Sequence, residues 1–196
     1  MSDSLLDRVN KGILGLKPYE PGKPINETQK ELGIKNIIKL ASNENPLGIS
    51  PKAFKVISEK KDLNRYPDGN ATSFKEVVSQ IEKIKTTMIT VGNGSNDLIE
   101  FVSKCFLSEG DNAIYSQHGF AIYPLAIKST GAKAIKAKAR DWGHDLNLMK
   151  DLVDENTKVI FLATPNNPTG TVLESDDIEK FWKVSPSNIA VFVDQA

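Results

Sequence analysis

Between residues 88 and 194 the chain alternates short β-branched runs with amphipathic helical stretches, and this alternation limits the possible folds more than any other feature. "MITVG", "NAIYS", "AKAIKAKA", "KVIFLAT" and "IAVFVD" read as strands. "SNDLIEFVSKCFL", "AIYPLAIKSTGA", "LNLMKDLVDEN" and the capped "SDDIEKFWKV" lie between them with helical spacing. Strands and helices taking turns at this interval predict an α/β fold, a mostly parallel sheet covered by helices on both faces. In the first helix Leu98, Ile99, Val102, Cys105 and Phe106 form the predicted apolar face, which makes Cys105 a buried, inert thiol.

The first seventy residues behave differently. Six of the ten prolines (Pro18, Pro21, Pro24, Pro46, Pro51 and Pro67) interrupt anything longer than a short helix. Residues 1–70 are therefore expected to form an irregular N-terminal arm that lies across another surface, with residues 71–196 forming the sheet domain.

Composition narrows the function classes. Twenty-five basic side chains balance twenty-five acidic ones without a long run of either sign, which gives no electrostatic case for nucleic acid or a membrane surface. The single cysteine excludes an internal disulfide and a thiolate metal cluster. The N-terminus has no long apolar core of a signal or a span, so the expected location is the cytoplasm. Small-molecule chemistry is the class left.

Open parallel sheets bind ligands at the carboxyl ends of their strands, and four unusual segments fall there. "VGNGSND" brings two glycines to a helix start at which Ser95 can cap, and it reads equally as a plain cap or an anion cradle. "SQHGFAIYPLA" sets Phe120 and Tyr123 three apart, either as core aromatics or with one ring over a planar ligand; His118 has no visible partner for acid–base work. "FLATPNNPTGTV" fixes two asparagines between prolines, and an amide there both donates and accepts. "VFVDQA" ends an apolar strand in Asp194, a carboxylate that needs a cation or a protonated ring nitrogen opposite it.

Taken in order, these segments resemble the fold type I pyridoxal-phosphate (PLP) aminotransferases, with the acid twenty-seven residues after the second asparagine of "NNPTG". "LKPYEPGKPI", "LASNENPLG", "RYPDGNATSFKEVV" and "VGNGSNDLIE" narrow the resemblance to the histidinol-phosphate aminotransferase family, over essentially the whole chain. The resemblance implies PLP as cofactor, with its phosphate held around Ser95 and Asn96, Phe120 stacked on its ring, Asn167 on its 3-oxygen and Asp194 on its ring nitrogen. Asp194 is then the catalytic residue of this stretch. Tyr66 is expected to reach the cofactor phosphate of a neighbouring subunit, so a homodimer completes the site, and Tyr19 and Asn45 to line the substrate pocket. The implied reaction moves an amino group between L-histidinol phosphate and 2-oxoglutarate in histidine biosynthesis.

Two segments depart from the family pattern. Asn96-Asp97 stands where relatives commonly have Asp-Glu, and "VDQA" where many have "VDEA". The family's cofactor-binding lysine, its substrate arginines and its small C-terminal domain follow the aspartate strand. The expectation is therefore the N-terminal half of a longer enzyme, inactive alone, with arm and sheet belonging to the small domain and to an incomplete large domain. An aromatic amino-acid aminotransferase or a phosphothreonine decarboxylase shares the cofactor motifs, and a non-catalytic nucleotide-binding module shares only the sheet logic.

Overall fold

The structure, a computed structural model, describes residues 9–19, 22–40 and 42–195. These divide into two compact units, one containing the residues up to Tyr19 together with those from Thr90 onward, the other containing those between.

The first unit is built on four parallel strands, β1 (Asn112–Ser116), β2 (Lys133–Ala137), β3 (Thr157–Ala163) and β4 (Ala190–Asp194), in the order β2-β1-β3-β4. Helices α5 (Ser95–Phe106), α6 (Ile122–Ser129), α7 (Leu146–Asp151) and α8 (Ser175–Val184) precede or connect them. The sheet has a core on each face. Ala113, Val159 and Phe161 pack with Ile99 of α5 and Tyr123 and Ile127 of α6. Their neighbours in the strands, Ile114, Ile160 and Leu162, point the other way to Met149 of α7 and Phe181 of α8. Alternate residues of an extended strand face opposite sides, so an unbroken apolar run such as "VIFLA" serves both cores.

A short helix, α1 (Lys11–Leu14), also belongs to this unit. Asn10 caps it at Gly12 and donates to the carbonyl of Ser129 at the end of α6. Gly12 lies so close to α6 that a Cβ there would fall 1.9 Å from the Lys128 carbonyl oxygen.

Four expectations change. "MITVG" is not a strand: a single 3-10 turn covers Thr86–Met88, and the extended backbone after it pairs with none of the four strands. Extended backbone becomes a strand only when a neighbour takes its hydrogen bonds. Cys105 is exposed, because α5 buries Ile99 and Ser103, with Val102 half-buried. Six residues beyond Ile99 at about 100° each, Cys105 is turned well away from that face. The apolar run before Asp194 reads as a buried strand, yet it is half-buried, since among the described residues β4 is an outer strand paired with β3 alone. Finally, α8 begins without a side-chain cap: Glu174 holds the cap position, and Asp176 and Asp177 place negative charge in the first turn instead.

The second unit contains α2 (Ile25–Leu32), α3 (Pro51–Glu59) and α4 (Thr72–Glu82), none with a buried residue. Phe54 and Ile57 of α3 and Phe74, Val77 and Ile81 of α4 are exposed. Asp68 accepts from the backbone N–H of both Asn70 and Thr72, fixing the start of α4. Those hydrogen bonds, that with Thr72 foremost, hold its carboxyl below the ordinary aspartate range.

Candidate active site

The strand order reverses between β1 and β3: the chain leaves β1 for β2 on one side, then returns to β3 on the other. The crevice outside the carboxyl ends of two such strands is where open α/β sheets take ligands. Both loops that leave there are held together. The Asn166 side-chain amide, after β3, donates to the carbonyl of His118, after β1, at 3.0 Å, and to Thr169 Oγ1 at 2.6 Å. Asn166 N–H donates to the Thr171 carbonyl, and Gly170, in the left-handed region at φ +72°, returns its N–H to the carbonyl of Asn166. The peptide bonds before Pro165 and Pro168 are both cis.

The two asparagines of "NNPTG" thus have different tasks. Asn166 is buried and its amide NH2 is spent on the loop. Asn167 is half-buried, and its side chain makes no hydrogen bond among the described residues.

One strand further out, Ala163 lies opposite Asp194, and the Thr164 N–H donates to the Asp194 carbonyl at 2.9 Å. The asparagine loop therefore starts beside the aspartate. Asp194 is 8% exposed, and the phenol of Tyr123 donates to its Oδ2 at 2.8 Å. Tyr123 is wholly buried and stacks on Phe161, with centroids 5.0 Å apart and planes 16° from parallel. Burial, followed by the hydrogen bond and the charge of Asp194, pushes its phenol far above the usual tyrosine range. The phenol keeps its proton and stays a donor.

Phe120 and Tyr123 are not equivalent core aromatics. Phe120 is half-buried, edge-on to Tyr123 at 6.0 Å and 90°, with Tyr19 edge-on to it at 6.4 Å. His118 lies against the Trp142 ring, centroids 4.9 Å apart, a packing contact and not an acid–base pair.

On the α5 side, Ser95 is not the cap but the first helical residue. Gly94 holds the cap position at φ 82°, ψ 178°, a backbone shape essentially reserved for glycine, and no side chain caps the helix. A Cβ on Gly94 would meet nothing within 4 Å. Asp97 turns back to accept from the Asn93 N–H at 2.8 Å, which shapes the approach. Asn96 is exposed and Ser95 half-buried. The N–H groups at the start of α5 form an open, electropositive end suited to an anion.

Two buried oxygens near these strand ends, Ser116 Oγ and Asn166 Oδ1, have no hydrogen-bond partner. The loops and helix start of this unit thus offer an uncapped helix end, a half-buried aromatic ring, an unengaged amide and a buried carboxylate. That set suits a flat, phosphorylated, nitrogen-containing ring.

The class I and II aminotransferase family matches residues 35–196. This chain belongs to that family. The histidinol-phosphate aminotransferase 2 of Pseudomonas fluorescens (strain Pf0-1) is 44% identical over all of this chain and 54% of its own length. The histidinol-phosphate aminotransferase 1 of Mannheimia succiniciproducens is 47% identical over 98% of this chain and 53% of its own. The chain spans about half the length of the curated relatives it matches.

Among solved structures, the histidinol-phosphate aminotransferase of Sinorhizobium meliloti, in complex with pyridoxal-5'-phosphate, superposes with a TM-score of 0.86 at 20% identity. It covers 96% of this chain and 51% of that one. The alanine aminotransferase of Pyrococcus furiosus gives 0.70 at 19% identity over 85% and 46%. At these identities the likeness establishes the fold, the α/β sheet of the aminotransferases.

The second unit holds the remaining expected residues. Tyr66 is fully exposed. Asn45 is committed to its own turn, accepting from the Leu47 N–H and donating to the Gly48 carbonyl. Sequence reasoning did not find the hydrogen bonds from Tyr123 to Asp194 and from Asn166 to His118. For Tyr123 the available signal was a tyrosine in an otherwise apolar helix, since a buried phenol needs a partner.

Proposed function

We propose that this chain supplies the cofactor-binding half of a PLP-dependent aminotransferase that moves an amino group between L-histidinol phosphate and 2-oxoglutarate, a step of histidine biosynthesis. The observation that carries the reading is the buried carboxylate of Asp194, set beside the asparagine loop on a sheet whose helix α5 begins uncapped. The 44–47% identity to histidinol-phosphate aminotransferases across nearly the entire chain favours this substrate over other amino donors.

The residues present fit the cofactor. The open end of α5 at Gly94 leaves room and unpaired N–H groups for a phosphate, with Ser95 and Asn96 as its holders. Phe120 covers one ring face. Asn167, whose amide is not used elsewhere among the described residues, donates to the ring's 3-oxygen. Asp194 holds the proton on the ring nitrogen, the role a buried carboxylate serves best in this family of chemistry. The bound cofactor would supply an electron sink for the pair left on the substrate's α-carbon when its proton departs.

The remaining assignments follow the same reading. Tyr66, exposed in a single chain, reaches the cofactor phosphate of a second copy, so the working enzyme is a homodimer. Tyr19, edge-on to Phe120, and Asn45 line the substrate pocket. Residues 1–70 make the arm and part of the small domain, and 71–196 the first part of the large domain. The working location is the cytoplasm; no helix among the described residues is long and apolar enough to cross a membrane.

The test is a substrate panel with the full-length protein. PLP absorbance together with amino transfer from histidinol phosphate supports the reading. A holoenzyme that prefers aromatic amino acids, or decarboxylates phosphothreonine, overturns the substrate assignment. Binding of ATP or NAD without PLP overturns the cofactor as well.

A further inference from the structure

Tyr123 in the first turn of α6 and Phe120 just before that helix set two aromatic rings three residues apart, and they meet different parts of the site. Phe120 is half-buried at the mouth; Tyr123 is wholly buried beneath it, its N–H donating to the Phe120 carbonyl at 3.1 Å. The two rings meet edge to face at 6.0 Å. On its far side Tyr123 lies flat against Phe161 of β3. Gly119 lets the turn close over it: a Cβ there would come within 3.3 Å of the Tyr123 ring and 3.0 Å of the Ser116 carbonyl oxygen. Tyr123 therefore cannot tilt freely, and its hydroxyl is aimed at Asp194 Oδ2, seventy-one residues away in the chain.

We propose that Tyr123 is a positioning residue for the cofactor, fixing the Asp194 carboxylate through its hydroxyl and the Phe120 ring through its edge. This rests on the reading of the site as a PLP site. One rigid side chain then sets the angle between the group that covers the cofactor's ring face and the group that meets its nitrogen. The phenol's strongly raised pKa keeps it a donor throughout the working pH range, so the carboxylate's orientation is constant. A hydrogen bond to a charged group contributes enough for its removal to cost about tenfold in binding of a ligand that depends on the carboxylate.

A double-mutant cycle in the full-length protein tests this. Tyr123→Phe keeps the ring, its stacking and its edge contact, and removes only the hydroxyl. Its dissociation constant for PLP is expected to rise about tenfold over wild type, with a weaker visible circular dichroism band of the bound cofactor, which reports a fixed ring tilt. In an Asp194→Ala background the same change is expected to cost less than about twofold, because no carboxylate is left to orient. An equal loss in both backgrounds would mean that Tyr123 serves only packing, and overturns the proposal. So would a Tyr123→Phe protein matching wild type in both affinity and dichroism. Thermal unfolding of each cofactor-free variant shows whether it is folded, and the dichroism of Tyr123→Phe alone decides if Asp194→Ala does not fold. Wild-type protein that shows no PLP band at all overturns the proposed function instead, a result distinct from either.

Discussion

Asn166 joins the two loops on either side of the sheet's reversal point by donating to the carbonyl of His118 across 3.0 Å. The adjacent asparagine, Asn167, spends no hydrogen bond on the protein among the described residues. Identical side chains one position apart thus differ: Asn166 ties the loops together, while Asn167 is left for the ligand contact proposed above.

Asn166→Ala is expected to cost about 1–3 kcal/mol of stability, since two hydrogen bonds are lost and the His118 carbonyl is left without this donor. Asn167→Ala is expected to change stability by less than about 0.5 kcal/mol, as for a site away from packing and networks, while weakening PLP binding. Thermal unfolding of the cofactor-free protein and a PLP titration separate the two. Equal stability losses would contradict the division of labour.

Gly94→Ala tests the anion end of α5. The added methyl meets no atom, so any penalty comes from the backbone alone, held at φ 82° and ψ 178°. A strained residue of this kind costs about 1–3 kcal/mol. The protein has two ways to respond, and both are measurable: a lower unfolding temperature, or a rearranged helix start with weaker affinity for PLP. A variant unchanged in both would show that the glycine conformation is not required.

Asp194→Asn keeps the shape of the carboxylate and removes its charge. Loss of a preorganised electrostatic partner of the reacting system typically costs on the order of 10²–10³-fold in turnover. Steady-state kinetics of the full-length enzyme should show that loss in kcat more than in KM. A loss confined to KM would remove Asp194 from the chemistry.

His144 accepts the backbone N–H of Ala163, the last residue of β3, through Nε2 at 3.1 Å. Burial lowers its pKa from 6.5 to about 4, so it is neutral in the fold. Below pH 6.5 the unfolded chain takes up a proton that the folded chain refuses. The stability this histidine contributes is therefore complete above pH 6.5 and is lost as the pH falls from there to about 4. The full loss is on the order of 2 kcal/mol after allowance for partial exposure. His144→Gln should flatten that part of the stability–pH curve, and the His144 ring signals should titrate near pH 4 by NMR. Titration near 6.5 would contradict the buried, accepting geometry.

Much of this was legible in the sequence because it depends on local pattern. The seven residues of β3 are apolar enough to serve two cores, and the Pro–Asn–Asn–Pro run marks a built loop wherever it occurs. What was not legible depends on partners distant in sequence. Extended backbone after Met88 looks like a strand but pairs with none of the four. The stripe through Cys105 was a reasonable helical face, yet packing of Ile99 and Ser103 turned α5 away from it. Ser95 lost the cap position to Gly94 because only glycine takes that backbone shape easily. The Tyr123–Asp194 hydrogen bond joins α6 to β4, and local periodicity carries no information about such a pair.

The proposed function requires this site to hold PLP and to pass on an amino group from histidinol phosphate. The most direct measurement is the absorbance of the PLP-loaded full-length protein as L-histidinol phosphate is added, followed by 2-oxoglutarate. The expected result is a saturable spectral change with histidinol phosphate that 2-oxoglutarate reverses. A protein whose bound PLP spectrum ignores histidinol phosphate yet responds to another amino donor would contradict it.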